Sequence, residues 1–186
     1  LNDALYELAK LSLSASDADA ALEYLDRIPS SSPPSVLVEM KRAQAYLLKG
    51  DFAQALSTAQ KANRIDITCL PVYKLLAQAF QLNNRVTDSI PPLETYLTYE
   101  FSDPEALALM AHALFADGKY EEALQYANDA LKLDKKSLSS LVARGEIYLQ
   151  QEKVEEALVD FNAALRVDKN SFEANIGIAR IQISKT

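Results

Sequence analysis

The residues best equipped for chemistry are few. The 186-residue chain holds one histidine, His112, and one cysteine, Cys69. A thiol attacks as its thiolate and needs a base beside it. The single histidine lies 43 positions further on (112 − 69), so no thiol–imidazole pair is expected. A metal site needs several ligands at close spacing, and His112 has no second histidine or cysteine near it. The carboxylate pairs Glu121-Glu122 and Glu155-Glu156 suggest acid–base work, but each falls where a helix is expected to begin. Negative charge is favoured there by the helix dipole, so solvated first-turn residues are expected. With four glycines there is no phosphate-cradling loop either. Neither catalysis nor a cofactor is expected.

Bulk composition narrows the field further. Hydrophobic residues make up 49% and charged residues 24%, the balance of a folded chain. The scarcity of glycine disfavours a barrel or sandwich built on tight hairpins. A net charge of −7 without any Lys/Arg cluster works against nucleic acid and against anionic membrane surfaces. No run of about 18 apolar residues exists to span a bilayer. One cysteine permits no intrachain disulfide, which fits a reducing compartment without proving one. The start at Leu1 reads as that of an excised fragment, with any targeting signal out of view.

The elements that would position these residues emerge from self-comparison. Turns at Lys49-Gly50-Asp51-Phe52, Asp117-Gly118-Lys119-Tyr120 and Glu152-Lys153-Val154 are each followed by Ala-Leu, at Ala55-Leu56, Ala123-Leu124 and Ala157-Leu158. Ala123 and Ala157 are 34 apart, and Ala55 and Ala123 are 68 apart. The frame extends without insertion to repeats 2–35, 36–69, 70–103, 104–137 and 138–171, with a terminal helix over 172–184. The eighth position reads Ala9, Ala43, Ala77, Ala111, Gly145, Ala179; the twentieth reads Ala21, Ala55, Ser89, Ala123, Ala157. Small residues at two fixed points let two helix backbones approach closely. Position eleven (Ser12, Tyr46, Phe80, Leu114, Tyr148) and position seventeen (Ala18, Phe52, Val86, Tyr120, Val154) mostly offer larger fillers between the paired helices. Turns of three or four residues force antiparallel neighbours. Ser171 is the N-cap expected for the last helix.

Leu107, Met110, Ala111, Leu114, Ala123, Ala130 and Leu133-Asp134 resemble the tetratricopeptide repeat (TPR) pattern, which has the same 34-residue period. The resemblance covers nearly the whole chain. Two family features are thin: the repeat-end proline stands only at Pro33, and the fourth-position aromatic only at Tyr73. The 35-residue RNA-reading pentatricopeptide repeat fits worse by one residue per repeat, and the acidic balance argues against RNA. The resemblance implies an all-α, right-handed superhelical array of antiparallel helix pairs in one domain, 1–186, that binds a protein or peptide. It also implies that the first helix of each repeat lines a concave groove. The implied groove residues are Tyr6, Lys10, Leu13, Met40, Gln44, Leu47, Lys74, Gln78, Gln81, His112, Phe115, Val142, Glu146 and Leu149. His112 is thereby expected as a solvated groove residue. A carboxylate-gripping set of the kind that receives chaperone tails is not expected. Lys74 and Gln78 imitate its start, but Leu109, Ser139 and Ala143 stand where Asn, Lys and Arg are wanted.

Two segments depart from the pattern. Pro91-Pro92 falls early in the second helix of the third repeat, which predicts a start near Thr87 to Ser89 or a bend, followed by aromatic Tyr96, Tyr99 and Phe101. The terminal helix carries Phe172, Ile176, Ile178, Ile181 and Ile183 on more than one face, whereas a capping helix is polar outside. It is expected to continue into further repeats or to pack on a second copy. Self-association is therefore the alternative to peptide binding.

Overall fold

The computed structural model of the chain describes residues 2–29 and 35–184. Pro33 lies outside the described residues. Among these residues the chain forms eleven α-helices in paired antiparallel packing, plus one 3-10 turn. The first helices of the repeats are α1 (Asn2–Ser14), α3 (Val36–Lys49), α5 (Leu70–Leu82), α7 (Pro104–Ala116), α9 (Leu138–Gln150) and α11 (Phe172–Ser184). The second helices are α2 (Ala18–Asp26), α4 (Phe52–Ile65), α6 (Ile90–Tyr99), α8 (Tyr120–Leu133) and α10 (Val154–Val167). Every first helix thus begins on the first residue of the 34-residue frame. The chain divides into two compact units, Leu1–Thr95 and Tyr96–Thr186.

Local chemistry sets the helix ends. Asp17, Asp51, Asp103 and Ser137 each accept a hydrogen bond from a first-turn amide of the helix that follows, satisfying donors that would otherwise be orphaned. Ser171 does the same for α11, with its Oγ accepting from the Ala174 amide at 3.4 Å. Between paired helices, the fifteenth residue of each repeat turns left-handed: Ser16, Gly50, Asn84, Gly118 and Glu152, with φ between 57° and 80°. The next amide then closes onto a carbonyl of the preceding helix, as in Asp51 to Tyr46 at 3.0 Å and Lys153 to Tyr148 at 2.9 Å. Glycine adopts this conformation freely; Ser16, Asn84 and Glu152 hold it at a cost.

Packing follows the small-residue positions. Ala9, Ala43, Ala77 and Ala111, and Ala21, Ala55, Ser89, Ala123 and Ala157, are all fully buried. In the first unit α2 packs on α3 and α4 on α5; in the second, α8 packs on α9 and α10 on α11. The core of the second unit centres on Phe161, which is fully buried. Its ring lies so close to two glycines that a Cβ on Gly177 would sit 2.4 Å from Cζ, and one on Gly145 would sit 2.7 Å from Cε1. Two glycines at helical positions therefore make the slot for this ring.

Arginines at the seventh frame position link repeats. Arg42 donates to Asp26 Oδ1 at 2.8 Å and to the Leu25 carbonyl at 3.1 Å. Arg144 donates to Asn128 Oδ1 at 2.8 Å and makes a bidentate pair with Asp160 at 2.7 Å on both bonds. Asp160 is buried, and this pair holds the Arg144 guanidinium above the ordinary arginine range.

The third repeat departs in the manner its prolines require. Val86–Ser89 forms a 3-10 turn, and α6 starts at Ile90, later than expected. Pro91 and Pro92 sit in the first turn of α6, where amides lack helical partners in any case. The fully buried Ser89 donates through Oγ to the Val86 carbonyl at 2.6 Å and accepts from Gln81 Nε2 at 3.0 Å.

Candidate functional site

In the first unit, α1, α3 and α5 carry the residues assigned to the groove. Tyr6, Lys10, Leu13, Gln44, Leu47, Lys74 and Gln78 are half-buried there. The Lys10 ammonium lies 5.8 Å from the Tyr6 ring centroid and bonds to Glu7 at 2.9 Å. Burial raises the Tyr6 phenol pKa, opposed by Lys10.

A residue that sequence reasoning passed over stands among them. Lys41 Nζ donates to Gln44 Oε1 at 2.8 Å and has no carboxylate partner among the described residues. Burial, and then repulsion from Lys10, push its ammonium below the usual lysine range. Its signal in the sequence was its place beside the fifth-position row, one residue from Met40.

Several residues assigned to the groove are engaged within the fold itself. Met40 is 9% exposed and belongs to the core formed with Ala43, Leu56, Val72 and Leu76, and Leu47 packs against the same core. Cys69 Sγ lies 3.7 Å from Met40 Sδ and is half-buried at the start of α5, a packing role. A side chain enclosed like Met40 offers a ligand little surface. Gln81 is bonded to Ser89 of its own repeat, so its carboxamide already serves the fold.

In the second unit, α7, α9 and α11 hold the corresponding row. His112 is exposed, yet the protein mass around it costs the charged ring hydration and pushes its pKa down. Phe115 is half-buried and tilts against Tyr120, with ring centroids 5.6 Å apart. Val142 and Leu149 pack against the Phe161 core. Glu146 accepts from Arg180 at 2.6 Å, one repeat further on. Glu121, Glu122, Glu155 and Glu156 are exposed in the first turns of α8 and α10.

On α11, Ala174, Gly177 and Ile181 are buried, while Phe172 and Ile183 are 71% and 75% exposed. Ala179 is exposed, although the eighth position of each earlier repeat is buried against a second helix. Among the described residues no group of His, Cys, Asp and Glu could hold a metal ion. No described helix is long and apolar enough to cross a membrane.

The paired helices, the frame and the small-residue contacts define a TPR-like helical repeat protein. Comparison with known proteins agrees. The family model described as "Anaphase-promoting complex, cyclosome, subunit 3" matches residues 82–163, less than half of the chain. Among solved structures, MamA 41-end from Desulfovibrio magneticus RS-1 superposes with a TM-score of 0.77 at 15% identity, covering 92% of this chain and 97% of that one. YrrB, titled "a TPR protein with an unusual peptide-binding site", gives 0.74 at 18% identity, over 94% and 90%. TTC0263, a thermophilic TPR protein in Thermus thermophilus, gives 0.70 at 16% identity, over 98% and 100%. At these identities the likeness establishes the fold alone. No curated protein sequence matches the chain.

Proposed function

We propose that the chain is a non-catalytic scaffold that binds a peptide or protein segment on the exposed faces of its first helices, α1, α3 and α5 above all. TPR proteins generally mediate protein or peptide binding, and the TPR scaffold is typically non-catalytic. The observation that carries the reading is Lys41: half-buried, bonded to a neutral carboxamide, repelled by Lys10 and without a carboxylate partner among the described residues. An ammonium held this way gains from an incoming anionic group. Gln44, bonded to it, and Gln78 on α5 suit the amides and carbonyls of an extended backbone.

Selection from a random heptapeptide phage library on the immobilised chain tests this. Selected peptides should lose about tenfold or more in affinity on Lys41→Glu, with far-UV circular dichroism unchanged. If no peptide is enriched, or if binders ignore Lys41→Glu and Gln78→Ala, the reading is wrong.

The exposed apolar face of α11 favours a second reading, self-association through that helix. Phe172, Ile176 and Ile183 are all exposed on it. Sedimentation over a hundredfold concentration range tests it. A mass that rises in the wild type and stays monomeric in Phe172→Ser/Ile183→Ser supports association; a constant wild-type mass excludes it.

A further inference from the structure

The irregular third repeat leaves a cavity that the first-helix reading does not use. It measures about 640 Å³ and lies between α4, α5 and the 3-10 turn leading into α6. Tyr73, Leu76 and Phe80 recur along α5 at helical spacing and form its floor, on the side away from Lys74 and Gln78. Pro91 and Pro92 form part of the facing wall and bring no amide hydrogens to it. The size is in the range of roughly 300–1,000 Å³ that ligands of a few residues fill.

Its polar groups are incompletely satisfied. Asn63 lines the cavity, and its Oδ1 is buried without a hydrogen-bond donor, a state that folded proteins rarely leave uncorrected. Rotation of that carboxamide would present it to a ligand amide. Arg64, at the exposed rim, has no ion pair among the described residues. Arg85 lies 5.0 Å from the Phe80 ring centroid and pairs with Asp88 at 2.6 Å. Two arginines against one aspartate give the cavity a local positive balance in a chain of net charge −7.

We infer that this cavity is a second docking site, for a peptide segment with an aromatic side chain next to an acidic one. The ring packs on Phe80 and Pro92, the carboxylate pairs with Arg64, and a backbone N–H of the segment reaches Asn63. Arg64 supplies the charge complementarity, and the unfilled acceptor on Asn63 selects a ligand with amide hydrogens. This site stands independently of Lys41 and the faces of α1, α3 and α5.

The test is NMR titration of the isotope-labelled chain with acetyl-Ala-Phe-Asp-Ala-amide. Saturable shifts are expected at the Asn63 side-chain amide, Thr87 and Thr95. Peptides with Asn for Asp, or Ala for Phe, should bind about tenfold more weakly or less. Arg64→Glu should abolish the shifts with the remaining spectrum unchanged, as befits an exposed residue, while Lys41→Glu should leave them intact. Absence of shifts at millimolar peptide, equal binding of the Asn peptide, or shifts confined to Lys41, Gln44 and Gln78 would each overturn the assignment. The same shifts produced by inorganic phosphate would reduce it to a general anion site and overturn it too. Failure at this cavity leaves the first-helix reading to its own test at Lys41, and shifts confined to Lys41, Gln44 and Gln78 would favour that reading over this one.

Discussion

The contact between Phe161 and Gly177 makes a prediction whose sign depends on context. Phe161 is completely buried, so Phe161→Ala should remove about 3–5 kcal/mol of stability through lost transfer energy and the cavity left behind. Gly177→Ala introduces two opposing effects. A helical alanine is favoured over glycine by about 1 kcal/mol. Against that, the new methyl would lie 2.4, 2.6 and 2.7 Å from three ring carbons of Phe161, and the fully buried ring has little room to retreat. Overpacking of this kind costs about 1–3 kcal/mol, so the net effect in the wild type should be zero to about 2 kcal/mol destabilising. Without the ring, only the propensity gain survives. In the Phe161→Ala background the same substitution should therefore stabilise by about 1 kcal/mol, a coupling of about 1–3 kcal/mol. Urea unfolding followed by circular dichroism measures all four corners, provided the slope stays constant. Repeat arrays can unfold in parts, so amide exchange along α11 should accompany it. Equal effects of Gly177→Ala in both backgrounds would refute the slot described for the ring.

Three other outcomes are expected. Glu152→Gly should stabilise the chain by about 1 kcal/mol, because the left-handed turn at φ 59° is strained for a side-chain-bearing residue; a lower thermal midpoint would contradict this. Arg144→Met should cost about 3 kcal/mol by leaving buried Asp160 without its bidentate partner, and adding Asp160→Leu should recover much of the loss in chemical denaturation. His112 should titrate below 6.5 by NMR, since loss of hydration favours its neutral ring. The unfolded chain then binds more protons than the native one between that lowered value and 6.5. Stability should consequently fall as pH drops through this window, and His112→Gln should remove that part of the dependence.

The fold was legible because small residues at the eighth and twentieth positions are forced by backbone approach, which leaves the same mark in every repeat. The N-cap at Ser171 and the proline-delayed start of α6 could be read for similar local reasons, though the latter fell one residue beyond the expected range. The candidate faces were less legible. Position within a frame predicts which side of a helix a residue occupies, but not how far its neighbours enclose it. Met40 holds a frame position expected to be open, yet it is enclosed in a core with Leu56, Val72 and Leu76. Gln81 is diverted by a hydroxyl that became available only when Val86–Ser89 wound into a 3-10 turn. Lys41, the Arg42 and Arg144 links and the Phe161 slot depend on distances between helices from different repeats, and no single-helix pattern records those.

The left-handed turns carry a consequence for how such a chain can change in length. Each hairpin closes through backbone bonds between its own residues, and Arg42 and Arg144 reach no further back than the adjoining repeat. Excision of 36–69 would join Ser35 to Leu70, placing a helix start where one already belonged. Removal of one residue fewer would rotate every downstream side chain by about 100° around its helix. Whole cassettes are thus interchangeable while single-residue slips are not, and gains or losses in this lineage should come in steps of 34.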